Sequence, residues 1–170
     1  LLTQIRNHTI ATAEAAKAVA QMLKLKEADQ YYYMGLLHDI GAILVTQILE
    51  EISKKEPIED QQQIHTAIRQ LHCKFGAVLL QRWGLSNQLQ TLALYHEKPE
   101  EAEQLSVELQ VLHFADQLTE HLGFTLCADN TSVNTPLDSE FANKSGLNAE
   151  HIELLSKRIQ AHVLAVSNIL

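Results

Sequence analysis

The chain has only two cysteines, Cys73 and Cys127, and they form no CxxC motif. Two reduced, buried thiols are the simplest expectation. Net positive charge is also lacking: 13 Lys and Arg face 21 Asp and Glu, a formal charge of -8 with histidine neutral. A negative overall field opposes binding to nucleic acid or to anionic lipid, so neither is expected as a partner. A phosphate ligand stays open, because a bound metal can reverse the sign locally. No apolar run in the sequence suggests a membrane span, and no signal peptide is visible. A cytoplasmic protein is expected. No initiator methionine precedes Leu1, and the opening helix starts in mid-stride. The expectation is a single helical domain over residues 1–170, forming the C-terminal part of a longer protein. Strand-like alternation, internal repeats and low-complexity tracts are all missing.

Helical periodicity is what the sequence has in abundance. Ile5, Thr9, Thr12, Ala16, Val19 and Leu23 fall three or four apart and define one face of a helix, with His8 on its edge. Residues 28–38 read as a second helix and 42–54 as a third, with Gly41 as the break between them and Pro57 as a stop. Residues 59–70 are polar but helix-forming, and a separate helix is expected over 72–83, capped by Gly84. Ser86 is an N-cap for a helix reaching His96. A long helix follows over 103–122, then a loop rich in Asn, Asp, Thr and Ser to Pro136, a short helix over 137–144, and a last helix capped by Asn148. The fold class implied is all-α, a compact multi-helix bundle.

Nine histidines are many for this length, and their placement is informative. Five segments matter, in order. NHTIATAEAAKAVA carries His8, and YMGLLHDIGAILV carries His38-Asp39. HCKFGAVLLQRWGLSNQLQTLALYHEKP runs from His72 to His96, LQVLHFADQL holds Asp116, and LDSEFANKSGLNAEHIELL follows. Together they resemble the HDOD domain, a bacterial signalling relative of the HD metal-dependent phosphohydrolases. Trp83-Gly84-Leu85 favours HDOD over other HD branches.

The resemblance implies an HD-like bundle with a divalent metal (Fe, Mn, Zn, Ni or Mg, or no ion at all) held by His8, His38, Asp39 and Asp116. Imidazole and carboxylate suit such ions. Adjacent helical residues point about 100° apart, so His38 and Asp39 can converge only near a helix end. His72 and His96 are candidates for a second metal or for phosphate, and Asp39 for a catalytic role. A His–Asp network without metal, tying helices together, is the alternative. His65, His113, His121, His151 and His162 read as surface or packing residues, and Tyr31, Tyr32, Tyr33 and Trp83 as core and interface packing.

Departures from the family pattern bear on activity. Tyr95-His96 stands where the HD-GYP phosphodiesterases have paired histidines, and no DGxGYP follows, which argues against cyclic di-GMP hydrolysis. Ala42 stands where many HD hydrolases have a Lys that could stabilise phosphoryl charge. His65 takes the place of an expected acidic residue. The resemblance therefore implies a signal-transduction output module, weakly active or inactive as an enzyme, with other signalling domains or proteins as partners. A working phosphohydrolase acting on a nucleotide or other phosphoester is the second reading.

Overall fold

The computed structural model describes residues 1–127 and 135–167. The expected loop up to Pro136 lies partly outside the described residues. Eight α-helices are present among them: α1 Leu2–Met22, α2 Ala28–Leu37, α3 Ile40–Ser53, α4 Gln61–Arg82, α5 Asn87–Tyr95, α6 Val107–His121, α7 Glu140–Ser145 and α8 Ala149–Ser167. Short 3-10 turns lie at Pro99–Glu101 and Pro136–Asp138. No strand occurs among the described residues, so the all-α expectation holds.

Helix α1 is the axis of the bundle and packs against α2, α6 and α8. Its middle is built from small residues, with Ala11, Ala13, Ala15, Ala16, Ala18 and Ala20 all buried. Small side chains let a neighbouring backbone come close. Helix α2 uses this at Gly35, where an added Cβ would lie 2.4 Å from the Cα of Ala13. That crossing sets the distance between His8 on α1 and His38 at the end of α2.

A second close crossing joins α3 to α4. A Cβ on Gly41 would sit 2.0 Å from the carbonyl oxygen of His72 and 2.4 Å from the amide nitrogen of Gly76. Gly41 is therefore not the expected break. It lies inside α3, and its missing side chain lets α4 approach. The break falls one step earlier: Asp39 has φ -105 and ψ 19, and α3 starts at Ile40.

Polar residues 59–70 and the helix expected from residue 72 merge into one helix, α4. Ile64, Ile68, His72, Gly76 and Leu80 recur every four residues, and no Gly or Pro interrupts the first half. The carboxylate of Asp60 caps its start by accepting from the amide of Gln62 at 2.9 Å. Helix α6 starts at Val107 rather than at 103 because Ser106 caps it, accepting from Leu109 at 3.2 Å. Ser86 caps α5 as expected. Asn148 caps α8, its side chain accepting from the amide of His151 at 3.0 Å.

Two apolar clusters result. The larger one joins α1, α2, α5, α6, α7 and α8, through residues such as Val19, Met34, Leu92, Phe114, Leu118 and Ile159. The smaller one gathers Ile5, Ala42, Val45, Ile68, Leu126 and Cys127. On α1, His8 lies between Ile5 of the smaller cluster and Ile10 of the larger.

The core part of the aromatic expectation needs correcting. Tyr31 is buried, but Tyr33 and Trp83 are 63% and 57% exposed. The membrane reading also gains a detail. Ala28–Ser53, α2 and α3 together, is long and apolar enough to cross a membrane by length and composition. Close to its midpoint lie His38 and Asp39, both buried within the bundle, and an ionisable pair near mid-span is costly in a bilayer.

Candidate metal centre

Four helices and one helix break deliver six polar side chains to one place. His8 comes from α1, His38 and Asp39 from the α2–α3 break, His72 from α4, His96 from the end of α5, and Asp116 from α6. The four imidazoles and Asp39 are at most 2% exposed, and Asp116 is 9% exposed. Every metal-ligand candidate from the sequence is therefore in the same cluster.

Asp39 is its centre. Its Oδ2 lies 3.1 Å from His8 Nε2 and 3.4 Å from His38 Nε2. Its Oδ1 lies 3.3 Å from His72 Nε2 and 3.2 Å from His96 Nε2. Asp116 Oδ1 closes the first side, 3.1 Å from His8 Nε2 and 3.7 Å from His38 Nε2. His38 and Asp39 converge although adjacent, because the backbone turns at Asp39 itself.

The other ring nitrogens are all committed to backbone. Nδ1–H of His8 donates to the carbonyl of Phe124 at 2.8 Å, and that of His38 to Gly35 at 2.6 Å. His72 donates to Ile68 and Arg69, each at 3.0 Å, and His96 to Ala93 at 3.0 Å. A carbonyl only accepts, so each Nδ1 carries the proton, and in a neutral ring Nε2 presents a lone pair. Four such nitrogens thus aim at two carboxylates that also offer only lone pairs. Without a cation or extra protons between them the arrangement is repulsive. His38 Nε2 and Asp39 Oδ1 are moreover buried without a hydrogen-bond partner. Backbone carbonyls orienting imidazoles in this way are the usual support of metal-ligating histidines.

The spacing agrees. Ligand atoms about 2.0–2.2 Å from a common ion stand about 2.8–3.6 Å apart for right-angle to tetrahedral geometry. The donor set therefore fits a divalent metal. His8, His38 and Asp39 offer ligand atoms within 4.8 Å of one another, and so do His72, Cys73 and His96.

Charge follows the same pattern. Burial opposes a proton on His8, yet the facing Asp116 and Asp39 outweigh it and raise its pKa well above the usual histidine value. Burial likewise opposes ionisation of Asp39 and Asp116, but the surrounding imidazoles prevail and hold both carboxyls well below the usual range. One proton on His8 answers the contacts on one side of Asp39 only.

Two residues were not foreseen. Cys73 places Sγ 3.2 Å from His72 Nε2, and Glu97 places Oε1 3.6 Å from the same atom. Each directly follows a candidate histidine, and that adjacency was the only signal in the sequence. Burial, with Glu97 and Asp39 nearby, pushes the Cys73 thiol far up from its ordinary pKa. Only Cys127 matches the expectation of a fully buried cysteine. The remaining histidines do lie outside the cluster: His121 is exposed, His65 half-buried on α4, and His151 part of the α8 cap. His113 supports the site from behind by donating Nδ1–H to the carbonyl of His96 at 2.6 Å. Ala42 is fully buried against α4.

An all-α bundle converging on a His/Asp cluster at a helix break is the architecture of an HD-type domain. Within that class the chain belongs to the HDOD domain family, whose sequence profile matches residues 1–99. The matched segment contains His8, His38, Asp39, His72 and His96; Asp116 lies beyond it and joins through the fold. None of the curated proteins matches the sequence. Among solved structures, an HDOD domain protein of unknown function from Geobacter sulfurreducens is 19% identical with a TM-score of 0.73, covering 96% of this chain and 61% of its own. A protein from Shewanella amazonensis SB2B, provisionally described as a metal-dependent phosphohydrolase, is 17% identical with a TM-score of 0.67, covering 92% and 57%. A protein from Marinobacter aquaeolei VT8, provisionally described as a signal transduction protein, is 20% identical with a TM-score of 0.67, covering 95% and 38%. The chain thus spans about two fifths to three fifths of these relatives.

Proposed function

We propose that the protein is an HDOD-type output module of bacterial, cytoplasmic signal transduction, in which a buried divalent-metal centre clamps α1, α2–α3, α4, α5 and α6 together. The observation that carries this reading is the burial of all four imidazoles and Asp39 around donor atoms that need a cation. A catalytic metal site keeps a position open to water and substrate. Among the described residues around the cluster, exposure is confined to Asp116, Cys73 and the half-exposed Glu97. Ala42, in place of a Lys, offers no cation to a phosphoryl group. The partner is taken to be another signalling domain or protein, and the chain to be one segment of a longer protein. Its acidic charge speaks against nucleic acid.

One observation favours a second reading, a working phosphohydrolase for a nucleotide or other phosphoester. Asp39 turns a different oxygen to each histidine pair, as a carboxylate shared by two ions would. A metal held by these residues would lower the pKa of a bound water toward ~7. Asp39 would then hold the ions, and His72 and His96 would face the phosphate. Cyclic di-GMP hydrolysis by the HD-GYP route remains excluded from the proposal, since Tyr95 is only half-buried and packs against the large apolar cluster.

Metal analysis followed by a nucleotide-phosphatase panel tests both readings. Bound divalent metal with turnover no greater in the wild type than in Asp39→Ala supports the module. Metal-dependent turnover that Asp39→Ala abolishes overturns it in favour of the enzyme. Protein with no bound ion and no affinity for Mn, Fe or Zn overturns both.

A further inference from the structure

The two sides of Asp39 differ in donor chemistry. The Oδ2 side offers two imidazoles and two carboxylate oxygens, all hard or borderline donors. The Oδ1 side offers His72, His96, one carboxylate oxygen and a thiol. Sγ of Cys73 lies 3.2 Å from His72 Nε2, and His72 Nε2 lies 3.4 Å from His96 Nε2. Sulfur at about 2.3 Å and nitrogen at about 2.0–2.1 Å from one ion stand about 3.1–3.6 Å apart. Residues 72 and 73 are neighbours on one helix, so their side chains should diverge. They meet because the carbonyls of Ile68 and Arg69 hold the His72 ring back along its own helix.

Charge points the same way. Two carboxylates, Asp39 and Asp116, are too little negative charge for two divalent cations in a buried site. A thiolate at Cys73 supplies more, and Glu97 stands next to it. Asp39 Oδ1, buried and without a hydrogen-bond partner, is aimed into the same space.

We propose that the Oδ1 side is a thiolate-containing metal position, with Cys73, His72, His96 and Asp39 Oδ1 as ligands, selective for zinc-class ions over Mg and Mn. This rests on the reading of the cluster as a metal centre. On loading, the cation takes the place of the thiol proton, which leaves to solvent. The two sides then prefer different metals: the Oδ2 side accepts Mn or Fe, and the Oδ1 side takes Zn, Co(II) or Cd. A thiol that merely donates its S–H to His72 is the arrangement the test must separate from this one.

The test is titration of the metal-free full chain with Co(II), followed by optical absorption and by counting bound ions. The expected result is a thiolate-to-cobalt charge-transfer band in the near ultraviolet. It saturates with the Oδ1 position, survives in Cys127→Ser, and is absent in both Cys73→Ser and Cys73→Ala. Those two variants should keep one bound ion and lose zinc affinity at the other position by roughly tenfold or more. Ions bound to the unmutated chain without the sulfur band overturn this proposal and leave the metal centre standing. So does a band that persists in Cys73→Ala. No ion bound at all overturns both. Because the band is read on the unmutated chain, a variant that fails to fold does not decide the outcome.

Discussion

The two sides of the Asp39 carboxylate are built by different means. The Oδ2 side depends on α1, α2 and α6, elements of the larger apolar cluster, and on the Gly35–Ala13 crossing. The Oδ1 side depends on α4, brought in by the Gly41–Gly76 crossing, and on α5, which is also part of the larger cluster. The first is closed by Asp116, almost wholly buried; the second ends in Cys73 and the half-exposed Glu97. A fold can thus share one ligand between two positions while tuning each through its own helices. Only Asp39, sitting at the break between α2 and α3, belongs to both.

Breaking the shared ligand should have the largest effect. Asp39→Ala is expected to lose both positions, so that added metal no longer raises the melting temperature. A ligand at one hundred times its Kd stabilises by about 2.7 kcal/mol. For a chain of this size that is about 5–11 °C of Tm, and calorimetry with and without metal reads it. Gly41→Ala comes next. A methyl group meeting backbone on two residues of α4 forces the helices apart, at about 3 kcal/mol in denaturant unfolding. Ion counting on this variant should show the Oδ1 position lost before the Oδ2 position, since α4 is the element displaced.

His8→Gln and His72→Gln sharpen the comparison. Each should remove one ion of two, on opposite sides of Asp39. Wild-type metal uptake on the His8 side should also weaken as pH falls. His8 has a raised pKa, so it holds its proton up to a higher pH than a free histidine, and the ion must displace that proton. The loss sets in above the ordinary histidine range and grows toward acid; in His8→Gln the one ion left, on the His72 side, should lack it. Glu97→Gln is the smallest change expected, a few-fold loss on the Oδ1 side alone, because its carboxylate is 42% exposed and screened by water.

Much of this was legible in the sequence. Every one of His8, His38, Asp39, His72, His96 and Asp116 was a candidate by family pattern, and the fold gathers them all. Periodicity located α1, α2 and α3, and Ser86 and Asn148 marked true helix starts. What escaped was governed by contacts rather than by local pattern. Gly41 reads as a break because glycine often ends helices, yet its role depends on His72 and Gly76 of α4, far along the sequence. The polar first half of α4 hid its every-fourth-residue seam. Cys73 looked inert because nothing in a linear chain shows that the ring of His72 folds back toward its neighbour. Trp83 and Tyr33 read as core or interface packing by chemistry, but both side chains are exposed.

In the proposed function, Asp39 holds divalent cations between imidazole pairs. Diffraction from crystals of the metal-loaded protein, with anomalous data on either side of the metal absorption edge, tests it most directly. The expected result is one anomalous peak among His8, His38, Asp39 Oδ2 and Asp116, and a second among His72, His96, Cys73 and Asp39 Oδ1. A cluster with no anomalous peak, its histidines joined to Asp39 by hydrogen bonds alone at full metal saturation, would contradict it.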